Sequence, residues 1–311
     1  MEFYKNIDNY CIIFNNIEIR IKMNYPLVSV IIPCYNHQNY IEECLLSVLN
    51  QSYKNIQLIV IDDGSKDNSV SIIEKIREEY TFIFEKQNNI GLSKTINKVL
   101  KKYVTGEFVC TLASDDFWDK NKVKIQVDYL NANKQYDFVF SNAYIINHQS
   151  QITGSFDEAR LKHNCSLEDL MLDKYGIPAL TVMLRKSVFD GVGLFDENLA
   201  IEDWDMWMRI AETRQLACIY DKLAYYRMHD SNTTLQIELM MDGRLQIIEK
   251  WKTIYPEVYI KALKYWRTQA LIQFAKTNKK AAAKYLKFNW NYLTDMKYRK
   301  YVFKYLFSKR F

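Results

Sequence analysis

Glycine and proline are scarce in this chain, 8 and 4 among 311 residues. That shortage excludes collagen-like, linker-rich and low-complexity architectures. Long apolar runs are missing as well. No stretch reaches the roughly 18 uninterrupted apolar residues that a membrane-spanning helix needs. The first 23 residues mix Glu2, Asp8 and Glu18 with apolar side chains and offer no small-residue cleavage site, so they do not read as a secretory leader. They are expected to form an appended arm, or the chain to start in effect at Met23. None of the six cysteines lies in a C-x-x-C pair, and four fall in runs that read as strand or helix. They read as reduced thiols of a cytosolic protein, not as disulfides or zinc ligands.

What is present is ordinary globular composition, 49% apolar and 25% charged, with an uneven distribution of charge. From Met241 to Phe311 there are 17 basic and 4 acidic residues; the remainder holds 25 basic and 33 acidic. The formal charge of +5 therefore hides an acidic body and a basic tail.

The body alternates buried-strand and helix signals. Leu27–Pro33 is a continuous apolar, β-branched run, and Tyr40–Asn50 follows with Ile41, Cys44, Leu45 and Val48 at helical spacing. Ile56–Ile61, Thr81–Glu85 and Glu107–Leu112 read as further strands, with helices expected over Ser69–Glu79 and Ser93–Tyr103. This β-α-β-α-β-α-β order predicts an α/β fold, a mostly parallel sheet with helices on both faces. In such sheets ligands bind beyond the carboxyl ends of the strands. Two acidic pairs sit there: Asp62-Asp63 after the second strand and Asp115-Asp116 after the fourth. The second half is less regular. Strands are expected over Asp137–Ala143, Thr181–Arg185, Leu216–Tyr220 and Leu223–Arg227, and helices over Ser166–Leu172, Glu202–Glu212 and everything beyond about Leu235.

Four segments carry a family resemblance. VSVIIPCYNHQNYIEECLLSVLNQSYKNIQLIVIDDGSKDNS resembles the opening of the family-2 inverting glycosyltransferases of the GT-A fold. LASDDFW resembles their divalent-metal motif, IEDWDMWMRIA their catalytic-base segment and YRMHDSNTT their closing loop. The matches fall in family order and span roughly Leu27 to Thr234. They imply a GT-A domain over 24–235, an N-terminal extension over 1–23 and a basic helical region over 236–311.

The resemblance also implies roles. Pro33, Tyr35, Asp62 and Asp63 would line the nucleoside pocket, with Asp63 accepting from the uracil or ribose; a turn built by D-G-S is the bland alternative. Asp115 and Asp116 would hold Mn²⁺ or Mg²⁺ against the diphosphate, Asp116 as the direct ligand, although Ala113 stands where the commoner D-x-D-D form has its first aspartate. A helix N-cap is the alternative there. Asp203, beside Glu202, would be the general base of a single displacement with inversion. Arg227 and His229 would cover the pyrophosphate, His229 near the metal, and Lys94 would reach the diphosphate. Asp205 and Arg209, four apart, read as a structural pair.

The implied activity is transfer of a hexose or N-acetylhexosamine from a UDP-linked donor to a saccharide or lipid-linked acceptor in surface-polysaccharide assembly. A sugar-nucleotidyltransferase would need a glycine-rich basic loop where Cys34-Tyr35-Asn36-His37 stands. A non-catalytic nucleotide-sugar-binding protein would not need Asp203 together with Asp115-Asp116. The basic, aromatic-rich tail is expected to lie on an anionic membrane, placing the enzyme peripherally at the cytoplasmic face, rather than to bind nucleic acid; a helical pair packed on the body with its charges merely solvated is the bland alternative.

Overall fold

The computed structural model describes residues 13–14, 17–18, 25–275, 278–287 and 290–307. Most of the expected N-terminal extension, Cys11 included, lies outside them; within it only Ile13–Phe14 pairs with Ile17–Glu18.

The body opens with β1 (Val28–Cys34), α1 (Ile41–Leu49), β2 (Ile56–Asp62), α2 (Ser69–Arg77), β3 (Ile83–Lys86), α3 (Leu92–Lys102) and β4 (Phe108–Thr111). Strands β5 (Phe117–Trp118), β6 (Phe138–Ile146) and β7 (Ile152–Ser155) follow, with α4 (Lys122–Ala132) between β5 and β6. Then come α5 (Leu167–Met171), β8 (Met183–Arg185), α6 (Val188–Val192), α7 (Glu202–Thr213) and β9 (Leu216–Arg227). The nine strands form one sheet in the order β3-β2-β1-β4-β8-β6-β9-β5, with β7 paired to β6. The first four strands are parallel. β8 inserts antiparallel between β4 and β6, and β9 runs parallel to β6.

Period-2 alternation sorts the strand side chains onto two cores. Val28, Val30 and Ile32 of β1, with Leu58 and Val60 of β2, face one core with α1, α2 and α4. Ile31, Ile59 and Ile61 face the other, where α3, α5 and α7 pack. That second core continues into α8 (Ile237–Glu249), α9 (Pro256–Phe274) and α10 (Lys279–Tyr285) through Ile247, Ile248, Trp251, Trp266, Leu271 and Tyr285. Short α11 (Trp290–Leu293) leads to α12 (Met296–Phe307). The basic region is thus docked on the body by a shared apolar core. Trp266 also donates from Nε1 to the Met171 carbonyl at 2.9 Å.

A buried ion cluster fixes α7 to its surroundings. Asp205 is fully buried, with one oxygen 2.9 Å from Arg209 Nε and the other 2.7 Å from Lys250 Nζ of the segment following α8. Arg209 also donates to the Val192 and Leu194 carbonyls. Asp205→Ala would leave the Arg209 guanidinium without its carboxylate and Lys250 with Asp196 alone. It should lower unfolding free energy by about 3 kcal/mol, seen as a reduced urea midpoint.

Candidate active site

The register of the parallel strands gathers the site. Cys34 is level with Asp62, and Ile31 with Thr111. The loops leaving β1, β2 and β4 therefore emerge side by side, where the strand order turns outward in both directions from β1.

Two of these loops are stapled together. The Asn36 amide donates to Ser65 Oγ, the His37 amide to Ser69 Oγ, and the Gln38 amide to Asp67. In return the Lys66 amide donates to Asn36 Oδ1 and the Asn68 amide to Gln38 Oε1. Asn36 adopts φ 56°, the left-handed conformation asparagine tolerates, and this turn carries His37 toward β4. Tyr35 is 46% exposed beside it, and Pro33 is half-buried.

The two aspartates after β2 divide their work differently from the expectation. Both oxygens of Asp63 are taken: Oδ1 accepts from Gln87 Nε2 and the Ile90 amide, Oδ2 from the Gly91 amide. Asp63 thus shapes the loop that opens α3. Asp62 Oδ1 accepts from the Gly64 and Ser65 amides, while its Oδ2 is buried with no partner. An unpaired buried carboxylate oxygen is costly unless a ligand supplies a donor. Lys94 is exposed on the first turn of α3.

Three side chains converge beyond β4. His37, Asp115 and His229 each offer a ligand atom, and these atoms lie within 4.8 Å of one another. His229 Nε2 is 2.9 Å from Asp115 Oδ2; His37 Nδ1 is 4.0 Å from Asp115 Oδ1 and 2.7 Å from Ser114 Oγ. Burial holds His37 below the ordinary histidine value, which favours the neutral, ligating imidazole. Two imidazoles and a carboxylate suit a divalent transition metal. Asp116, expected as the direct ligand, is turned inward. It is buried and accepts from the Arg227 amide at 2.8 Å, and burial together with Asp115 raises its pKa well above the usual carboxylate range. His37 was not among the expected ligands. Its signal was position: it follows the β1 turn, at the carboxyl end of a central strand.

Arg227 does not cover a pyrophosphate here. It is 1% exposed, and its guanidinium donates to the Asp115 and Asn147 carbonyls, Ser150 Oγ and Glu43. Its ring of partners leaves no free face for a donor phosphate.

Asp203 opens α7 mostly buried, with Oδ1 accepting from the Trp204 amide at 2.7 Å and no ion pair among the described residues. Burial raises its pKa, and burial plus the neighbouring Asp203 push Glu202 up to about 8. Buried Asn97 of α3 ties the donor half to the segment before α7, donating to the Phe195 carbonyl and Glu197 and accepting from the Phe195 amide.

Residues 29–189 match the family model described as Glycosyl transferase family 2. The chain belongs to that family. An uncharacterized glycosyltransferase of Rickettsia typhi is 31% identical over 213 residues, 67% of this chain and 66% of that protein. An Escherichia coli relative, the UDP-Glc:alpha-D-GlcNAc-diphosphoundecaprenol beta-1,3-glucosyltransferase WfgD, is 29% identical over 63% of this chain and 74% of its own. The match spans under two thirds of the first curated relatives, down to 29% of a Rickettsia bellii protein. Staphylococcus aureus TarS 1–349 in complex with UDP-GlcNAc superposes with a TM-score of 0.61, at 18% identity, over 89% of this chain and 91% of that one. The mannosyltransferase PcManGT of Pyrobaculum calidifontis, in complex with GDP-Man and Mn²⁺, gives 0.58 at 16% identity over 92% and 88%. The fold of this family-2 glycosyltransferase is GT-A, with a helical C-terminal region.

The convergence beyond β4 generates a test. His37→Ala, Asp115→Asn and His229→Ala should each weaken Mn²⁺ binding by about tenfold or more, read from the electron paramagnetic resonance signal of free Mn²⁺. Asp116→Asn should change the melting temperature more than the metal affinity.

Proposed function

We propose that this enzyme transfers a hexose or N-acetylhexosamine, with inversion, from a UDP-linked donor to a saccharide or lipid-linked acceptor in surface-polysaccharide assembly. The observation that carries the catalytic half of this reading is Asp203: a mostly buried carboxylate, raised in pKa and paired with no cation, at the start of a helix held by its own ion cluster. Structural carboxylates are usually paired when buried, and an unpaired one is a functional candidate.

The donor side follows from the same geometry. Asp62 Oδ2 is the free acceptor for a nucleoside N–H or hydroxyl, with Tyr35 and Pro33 beside it and Asp63 holding the floor of the loop. His37, Asp115 and His229 would hold the divalent cation, and their imidazoles favour Mn²⁺ over Mg²⁺. When bound, the metal supplies Lewis-acid neutralisation of the departing diphosphate. Asp203 then takes the proton of the acceptor hydroxyl as that oxygen attacks the anomeric carbon from the face opposite the diphosphate. The Trp204 amide fixes the carboxylate, and the raised pKa makes it a better base than an exposed aspartate. A lipid-linked acceptor is supported by the name of the E. coli relative.

Membrane association is narrowed to one surface. Trp266, Phe274, Tyr285, Tyr292 and Tyr298 are buried against the body or one another, so they are not interfacial anchors. α12 shows Met296, Phe303, Leu306 and Phe307 exposed beside Lys297, Arg299 and Lys300, while Tyr298 and Val302 face inward. No helix among the described residues is long and apolar enough to cross a membrane. Phe303→Ser with Phe307→Ser should reduce co-sedimentation with anionic vesicles; equal sedimentation of variant and wild type on anionic and neutral lipid would remove the membrane from this reading.

Asp203→Asn should lower turnover by about 10²–10⁴ and leave calorimetric UDP affinity within a few-fold of wild type. The working base is the deprotonated carboxylate, and its free-enzyme pKa is raised. So kcat/KM should fall as pH drops through an apparent pKa above the ordinary carboxylate range, a limb shared by the Glu202–Asp203 pair.

A further inference from the structure

Helix α8 carries an arginine that the reaction as described does not use. Arg244 is half-buried, its guanidinium 4.5 Å from the centre of the Trp266 ring. Trp266 meets Trp204 edge-on at 5.6 Å, and Trp204 directly follows Asp203 in the chain. One residue earlier, Gly243 lies so close to Ile201 that an added Cβ would come within 3.1 Å of that side chain. The helix is therefore pressed onto the segment that opens α7, and Arg244 lies within electrostatic reach of Asp173 and, less strongly, of Asp203.

They are nevertheless not an ion pair: no nitrogen of Arg244 is within 4.0 Å of a carboxylate oxygen among the described residues. Its guanidinium makes no hydrogen bond there either. The other cation nearby, Arg160, is already committed to Asp173 at 2.6 Å. A guanidinium held by an aromatic face, half out of water, with five N–H donors unused, is arranged for a planar or tetrahedral oxyanion that arrives from outside. Its charge is balanced at a distance by Asp173 and Asp203 and directly by the Trp266 face.

We propose that Arg244 binds a phosphate group on the acceptor, beside the hydroxyl that Asp203 deprotonates. The aromatic contacts argue for this: Arg244 lies on Trp266, Trp266 meets Trp204, and Trp204 directly follows Asp203. Trp204 and Trp266 supply aromatic surface beside it, against which an acceptor sugar ring can pack. The same segment begins with Leu235, Ile237 and Leu239 exposed, an apolar lip along which a lipid attached to that phosphate would leave. The inference deepens the acceptor side of the proposed function and depends on Asp203 being the base.

The test uses the full-length protein with Mn²⁺ and saturating UDP, so that the donor site is filled. Farnesyl diphosphate, N-acetylglucosamine 1-phosphate and farnesol are titrated separately by calorimetry and by tryptophan fluorescence, which Trp204 and Trp266 should report. Wild type should bind the phosphate-bearing probes. Arg244→Gln should weaken them about 10- to 100-fold, Arg244→Lys should be intermediate, and farnesol should bind weakly and alike to all three. UDP affinity and melting temperature should be unchanged in both variants, which excludes misfolding as the cause. Tighter binding of farnesyl diphosphate than of the sugar phosphate assigns the phosphate to a lipid-linked acceptor; the reverse assigns it to a soluble one. Equal affinity of Arg244→Gln and wild type for every phosphate probe overturns the proposal, as does wild-type failure to bind any of them. If Arg244→Gln instead shifts only the acid limb of kcat/KM, the arginine is a counter-ion for Asp203 and the proposal is wrong. Failure of UDP itself to bind would strike the donor reading and not this one.

Discussion

One buried guanidinium, that of Arg227, holds the loops at the carboxyl ends of the central strands together. Its amide donates to Asp116, its Nε to the Asp115 carbonyl, and its remaining nitrogens to Asn147, Ser150 and Glu43. Its own carbonyl accepts from Asn232, whose side chain in turn accepts from the His229 amide. The end of β9, the turn after β4, the end of β6 and the start of α1 thus meet at one residue. The His37–Asp115–His229 convergence exists because this knot fixes two of its three members. A lysine could not replace it: one point charge cannot donate in the separate directions the guanidinium fork serves. The cost of desolvating the charge is offset by charge-assisted and carbonyl hydrogen bonds, and Tyr40 lies 4.7 Å from the cation on one side.

The same end concentrates carboxylates to a degree that only ligands can balance. Asp62, Asp63, Asp115 and Asp116 follow two parallel strands that lie on either side of β1. Two of them are neutralised internally, Asp63 by three N–H donors and Asp116 by the Arg227 amide with its pKa raised. The remaining two, Asp62 and Asp115, keep oxygens facing outward or unpartnered. In each acidic pair one aspartate is taken up wholly by its neighbours, while the other keeps an oxygen without an internal N–H donor or beside the two imidazoles. Adjacent residues leaving a strand point to opposite sides, which is why a doubled aspartate can serve both ends.

Much of this was legible in the sequence. The apolar runs of β1, β2 and β4 are buried on both faces, so they read without ambiguity, and of the acidic pairs at their ends Asp115 stands in the convergence with His37 and His229. Division of labour within each pair was not legible, because it depends on which carboxylate the neighbouring loop's amides reach. All four aspartates were expected at the ligand by resemblance, Asp63 and Asp116 foremost, and within the structure the loops of 87–91 and 227 bond to those two. β5 and β7 are two- and four-residue edge strands with no periodicity long enough to read, and Leu216–Arg227 is a single strand broken in pattern by irregular pairing between Ile219 and Ala224. His37 was hidden by its ordinary turn context; only the left-handed Asn36 before it and the contact with Ser114 give it a direction.

The basic C-terminal region shows why composition misleads about role. Lysines and aromatics at mixed spacing suggested a surface-seeking tail, yet the aromatics of α9 and α10 complete the core beneath α7 and the lysines are largely its solvated rim. Lys250 reaches the buried Asp205, Gly243 admits Ile201, and Trp266 supports Trp204. The start of α7, with Asp203, is thus set by residues some 40 to 60 places downstream of it, through contacts no local motif encodes. One apolar core runs from Ile31, Ile59 and Ile61 of the parallel strands through α7 into these helices. Asn97 adds a polar tie between α3 and residues 195–197, so a change in the C-terminal helices would reach the strands through packing as well as through that tie.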